Sequence, residues 1–187
     1  GGGSGTDGFV ARLSTSAAAL EYCTYLGGTD TDACYRVCHD SSDSIYVVGE
    51  TRSQLFPTTA GAFDRTRSGV TDGFVAKYFV SGAQSYSTLV GGNAEDSAAG
   101  VGVTAAGTAV VVGSTSSSDF LVTTSLTGRP ADGAECYVTA LSADGGTVSF
   151  STLVGGSRGV SGLVHDVADS IVALADGTIA IAGTTAA

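Results

Sequence analysis

Cys34, Cys38 and His39 have the spacing of a candidate metal site: two thiols four residues apart with an imidazole directly after the second. A closed zinc site needs four such ligands at tight spacings. Strand alternation would place Cys34 and Cys38 on one face. No second cluster completes the set, so packing or disulfide formation accounts better for these thiols and no metal is assigned. A direct Cys34–Cys38 bridge is out of reach, because four residues of strand span roughly 13 Å. Cys23 and Cys136 have no cysteine at the matching places elsewhere in the chain, and the pairing of the four cysteines stays open.

The carboxylates offer a second kind of chemistry. Asp30 and Asp32 lie in "TDTDA" (29–33), and calcium favours several oxygen ligands in such a loop. Ala94 replaces Asp30 in the following copy of the pattern, and no third carboxylate is suitably placed. Asp32, Asp96 and Asp166 do recur, each in the turn before an expected strand, where a carboxylate accepts backbone N–H bonds. Asp40 and Asp43 in "HDSSDS" read as turn residues. His165, followed by Asp166, is the other histidine, but no nucleophile elbow accompanies it and no catalytic residue is assigned. The recurrent "GG" lacks the lysine and helix pattern of a phosphate loop, so no cofactor is expected. Positive φ at a sharp link is the role expected for those glycines.

What positions these residues is a repeat. "CTYLGG" at 23–28, "STLVGG" at 87–92 and "STLVGG" at 151–156 are each 64 residues apart. Tyr22, Tyr86 and Phe150 keep that step, and so do Gly49 and Gly113. The third copy places its equivalent, Gly183, six residues late, because "SRGVSGLVHD" holds six extra residues. Each copy predicts four strands, near 33–39, 45–50, 73–79 and 84–90, then 97–103, 108–114, 136–142 and 147–154. Segments such as "IYVV" and "AVVV" are apolar on both faces and need cover on both sides. Four-stranded sheets covered on both faces by their neighbours are blades of a β-propeller.

Composition agrees with an all-β chain. Its 28 Gly, with no Met and no Trp, disfavour long helices and suit short strands and turns. Apolar runs reach only about five residues, so no membrane insertion is expected. A chain with no Met that opens on "GGGSGTDG" is expected to be an internal or processed slice of something larger. Eighteen acidic against 8 basic residues give a net charge of −10, which phosphate backbones repel, so nucleic acid is not an expected partner.

"DGFVARL" (7–13) and "DGFVAKY" (72–78) resemble the "DAFVAKL" signature of the SBBP β-propeller repeat family, of seven-bladed type. "YCTYLGG", "IYVVGET" and "LFPTTAGAF" (55–63) are similar to that family's "YSTYLGG", "VYVTGST" and "FPTTPGAF". The likeness covers nearly the whole chain, strongest in the first copy and weakest in the third. It implies one partial propeller over 1–187, with repeats at about 7–71, 72–131 and 132–187.

The small-residue strand "SAAGVGV" (97–103) is expected innermost. The chain then opens on two outer strands, 8–13 and 20–26, holds two complete blades, and ends on two inner strands, 167–174 and 178–183. Such half-blades need other chains, or the rest of the same propeller, as partners. The expected function is a structural segment of an extracellular or cell-surface assembly. The alternative is a glycan- or ligand-binding module using loops 51–72 and 114–135, where Phe56, Phe63 and Phe120 could stack on sugars. Arg158, in the six-residue insertion, is a candidate contact for a partner's carboxylate.

Overall fold

The computed structural model describes residues 5–124, 126, 134–154, 167–174 and 177–184. Among these residues there are twelve strands and no helix. They are β1 (Gly8–Leu13), β2 (Leu20–Leu26), β3 (Asp32–His39), β4 (Ile45–Thr51), β5 (Asp72–Tyr78) and β6 (Gln84–Val90). Then follow β7 (Asp96–Val103), β8 (Ala109–Thr115), β9 (Glu135–Leu141), β10 (Val148–Val154), β11 (Val167–Ala173) and β12 (Ile179–Thr184). All pair antiparallel in four sheets: β1-β2, β3-β4-β5-β6, β7-β8-β9-β10 and β11-β12. This is the two, four, four, two division expected from the repeat. Segments 7–71, 72–131 and 132–187 therefore each take the last two strands of one sheet and the first two of the next.

The sheets stack face to face in chain order. Val10 and Leu26 of the first sheet share a core with Val47, Phe74, Ala76, Tyr78 and Leu89 of the second. The second sheet's other face gives Tyr46, Val48, Val75, Tyr86 and Val90, which meet Ala98, Val101, Ala109, Val111 and Tyr137 of the third. Val110, Val112, Cys136 and Val138 then meet Ala168 of the fourth. Covered on both sides, β4, β8 and β9 are buried almost throughout, which explains why their sequences do not alternate. Among the described residues the stack stays open, with two-stranded sheets at its ends.

Two bulges recur with the repeat. In the last strand pair of a sheet the register steps from Arg12↔Tyr22 to Leu13↔Leu20, from Lys77↔Tyr86 to Tyr78↔Gln84, and from Ala140↔Phe150 to Leu141↔Val148. Tyr22, Tyr86 and Phe150 thus hold equivalent positions. In the first strand pair it steps from Cys34↔Gly49 to Arg36↔Val48, from Ala98↔Gly113 to Gly100↔Val112, and from Ala168↔Gly183 to Ser170↔Ala182. Tyr35, Ala99 and Asp169 are the extra residues.

That second bulge explains the recurrent glycine opposite it. A Cβ on Gly49 would overlap the Ala33 carbonyl oxygen, one on Gly113 that of Ser97, and one on Gly183 that of Val167. Gly113→Ala should therefore cost about 2–3 kcal/mol, in the range of overpacked cores. Gly61→Asn is the control: Gly61 has φ +84° with open space around it, and asparagine tolerates that conformation. Its cost should stay within about 0.5 kcal/mol. Urea unfolding of both variants checks this, and equal stabilities would refute the close approach.

Candidate functional site

The buried carboxylates form a repeated clip. The Asp32 Oδ2 atom accepts from the Gly28 N–H at 2.8 Å and from the Ser53 hydroxyl at 2.7 Å, while Thr51 Oγ1 donates to Oδ1. Ser53 Oγ in turn accepts from the Asp30 N–H at 2.8 Å. One repeat later, Asp96 Oδ2 accepts from Gly92 N–H at 2.8 Å and Ser117 Oγ at 2.6 Å, and Ser117 Oγ accepts from the Ala94 N–H at 2.8 Å. Each clip ties the glycine pair, the start of the next sheet's first strand and the exit of its second strand. The backbone joins in, because the Asp32 N–H donates to the Thr6 carbonyl at 2.7 Å and the Asp96 N–H to that of Thr71 at 2.9 Å. The expected turn role of Asp32 and Asp96 is what the geometry gives; Asp166 lies outside the described residues. The hydroxyl partners went unread, although "T-R-S" (51–53) and "T-S-S" (115–117) share a Thr-x-Ser spacing.

The expected role of the glycine pairs needs correction. Among the described residues the left-handed glycines are Gly61, Gly82, Gly107, Gly145 and Gly177, none of them in the recurrent pairs Gly27–Gly28 and Gly91–Gly92; the third pair, 155–156, lies outside the described residues. A Cβ on Gly27 would meet Asp7 and Asp32, on Gly28 the Ser53 Cβ at 2.7 Å, and on Gly92 the Ser117 Cβ at 2.7 Å. The pairs are glycine because the clip closes onto their backbone, not because of positive φ.

The Cys34–Cys38–His39 group does not converge. The bulge at Tyr35 inverts strand parity, so the expectation of one shared face fails. Cys34 packs toward β1–β2 and Cys38 toward the third sheet. His39 is exposed, with Nδ1 3.1 Å from the Asp40 carbonyl oxygen, at the far end of β3 from Asp32. Asp40 and Asp43 are turn residues as read: Asp40 Oδ1 accepts from the N–H groups of Ser42 (2.9 Å) and Ser44 (3.0 Å), and Asp43 takes φ +59°. His165 and Arg158 lie outside the described residues. Among the described residues no three His, Cys, Asp or Glu side chains gather as a metal ion would require. None of the four cysteines forms a disulfide.

The long loops also differ from the sugar-binding expectation. Phe56 stacks on Phe74 with ring centroids 4.7 Å apart, and Phe120 on Tyr137 at 4.6 Å. They are only 5% and 3% exposed, so neither presents a face to a sugar; Phe63 remains half exposed. The loops instead cover the last strand of the two complete sheets, β6 and β10. The Thr59 N–H donates to the Ser87 carbonyl and Thr59 Oγ1 accepts from the Ser87 N–H, both at 3.0 Å. Thr123 holds Ser151 in the same way, at 2.8 Å for both bonds.

Two concave regions stand out among the described residues. A polar cleft of about 210 Å³ is lined by Glu50, Arg52, Thr71, Glu95, Asp96, Ser97, Ser114, Ser116 and Ala134. Its serines include the pair Ser97–Ser114, hydroxyl to hydroxyl at 3.0 Å, and its lining includes neither histidine nor cysteine. An apolar groove of about 390 Å³ runs beside β1, between Phe9, Val10 and Ala11 and the face formed by Cys34, Tyr35, Arg36, Val37, Ile45 and Val47. No helix among the described residues is long and apolar enough to cross a membrane.

No protein-family model matches the chain, and no curated protein matches it.

The electrostatics yield two predictions. Burial pushes the Asp72 carboxyl up to about 6, with the charges of Asp96 and Asp64 adding to it against N–H bonds from Ser68 and Gly69. Unfolding returns it to its ordinary 3.8, so the folded state binds the proton more tightly. Its stabilising contribution is complete below about pH 3.8 and is lost as pH rises through about 6. Asp72→Asn, neutral throughout, should therefore gain on the wild type between about pH 4 and pH 7. Urea unfolding across that window reads the effect, and a difference that does not change with pH would disprove it.

The second prediction concerns the thiols. Burial pushes both Cys34 and Cys38 up to about 11, which leaves almost no thiolate at neutral pH. Exposed Cys23 should be alkylated first at about pH 8, well ahead of Cys34, Cys38 and buried Cys136. Peptide mapping after timed labelling tests this, and labelling of Cys34 as fast as Cys23 would contradict it.

Proposed function

We propose that this chain is a β-propeller segment of the SBBP repeat type that works as a structural scaffold. It acts through protein–protein contacts in an extracellular or cell-surface assembly, without enzymatic chemistry or a cofactor. The observation that carries this reading is the state of the end sheets. Phe9 and Tyr25, paired across β1 and β2, are 65% and 77% exposed, whereas their counterparts Phe74 and Leu89 are buried. Leu13 and Leu20 are exposed beside them. An apolar sheet face of this kind marks a contact surface.

Three further features support it. Every complete sheet is covered on both faces by its neighbours, as in a propeller. The recurrent polar side chains of Asp32, Thr51 and Ser53, and of Asp96 and Ser117, are used in clips between sheets. The net charge of −10 suits a β-rich surface that must avoid non-specific self-pairing.

Immunogold electron microscopy of the cells that make the chain should label a surface layer or filament. Labelling confined to the cell interior would reject the location. A glycan array should give no ligand. A sugar whose binding is lost in Phe63→Ala would replace the scaffold with the glycan-binding reading.

A further inference from the structure

We propose that the apolar groove beside β1 is the seat for the β11–β12 strand pair of a second copy of this chain, so that copies join head to tail through one composite four-stranded sheet. The inference rests on the scaffold reading and names its partner. It follows from the chain's own complete sheets. In them, the strand equivalent to β1 is always paired on its other edge: β5 with β4, and β9 with β8. Among the described residues that edge of β1 is unpaired, and β12 is likewise a sheet edge. β11–β12 is the same kind of strand pair as β3–β4 and β7–β8, with the same bulge and the same recurrent glycine.

The register can be written down. Gly49 pairs with Phe74 and Gly113 with Tyr137, so Gly183 of the second copy pairs with Phe9. Ala182 then faces Val10, Ile181 faces Ala11 and Ala180 faces Arg12. Phe9 would take the place over Gly183 that the Phe74 ring holds over Gly49.

Side-chain size selects the occupant. Between the second and third sheets, large Tyr46 and Val48 pack onto small Ala98 and Ala109. In the groove the sizes are reversed. Its floor carries Cys34, Ile45 and Val47, and the residues of β12 that would cover it are Ala180 and Ala182. Val172 of β11, half exposed, occupies the place of Cys38 and Gly102 and would cover Val37, also exposed. The composite sheet would be sandwiched between the second sheet of one copy and the third sheet of the other, covering the apolar faces of both. Closure within one chain is blocked by geometry, because two complete sheets, in a stack with a spacing of about 10 Å, separate β1 from β12. The contact joins two different surfaces, so it builds rings or open filaments.

Sedimentation velocity of residues 1–187 tests the inference. Concentration-dependent association is expected, and Ala182→Arg and Val37→Arg should each weaken it at least tenfold. Both residues are exposed in the single chain, so circular dichroism, and the unfolding midpoint at a dilution where the wild type is monomeric, should not change. Mixing the two variants decides the geometry. Each retains the surface that the other lacks, so the mixture should give a one-to-one dimer that grows no further. A chain that stays monomeric at about 100 μM, or variants that associate like the wild type, would overturn the second copy as occupant. Either result leaves the scaffold reading open to a different partner, which surface labelling tests separately.

Discussion

The extra residue in β3, β7 and β11 is the constraint on which the rest of the structure depends. Side chains alternate with period two, so one inserted residue exchanges the faces of everything beyond it. In β3 this sends Cys34 into one interface and Cys38 into the other. A single edge strand thereby fills the layers on both sides of its sheet. The bulge also drives a carbonyl at the neighbouring strand, and only a residue without a Cβ can stand there. Gly49, Gly113 and Gly183 follow from that single contact. The glycine in turn leaves room for an aromatic ring from the third strand, Phe74 over Gly49 and Tyr137 over Gly113.

Buried charge is handled with the same economy. Asp32, Asp72 and Asp96 are each almost fully buried in a chain that already carries excess negative charge. A buried carboxylate is tolerable only when donors surround it. The donors come from the backbone of loops and from serine and threonine hydroxyls, groups in which this sequence is rich. Asp32 shows the full set, with one N–H and two hydroxyls. Asp72 is held by two long N–H bonds, 3.1 and 3.3 Å, and burial, with the charges of Asp96 and Asp64 adding to it, outweighs them and raises its pKa.

Much of this was legible in the sequence, for a physical reason. A 64-residue period, corrected for the six extra residues of the third copy, places the strands once one copy is read, and turn residues fix the ends to within a residue or two. The half-sheets at either end followed from the resemblance and from placing the small-residue strand 97–103 innermost. The bulge was invisible because Tyr35, Ala99 and Asp169 share no side-chain property; an extra residue is a backbone event. Strand parity, and with it the separation of Cys34 from Cys38, was therefore beyond reach. The burial of Phe56 and Phe120 was missed for a related reason. Their loops carry turn residues and read as surface, yet Thr59 and Thr123 pin them along a sheet edge. The glycine pairs were recognised as special but given the wrong cause, because a tight approach and a positive φ both call for glycine.

The copies are not identical, and their differences are matched across the interfaces. Where the first sheet has Gly8, the second presents Cys34, whose sulfur fills the space a Cβ would have occupied. Where the second has Gly73, the third presents Ala98 in close contact. Where the third has Cys136, the fourth presents Ala168, and the two share one core. At one equivalent position the thiol has changed sides of the interface. A sheet from one place in the stack would leave a void or a clash if moved to another, since cores tolerate little change in volume. The period builds four sheets of one kind, and these paired substitutions fix which sheet lies next to which. The reversed sizes of the groove floor and of β12 follow the same rule at a surface where this chain provides no neighbour of its own.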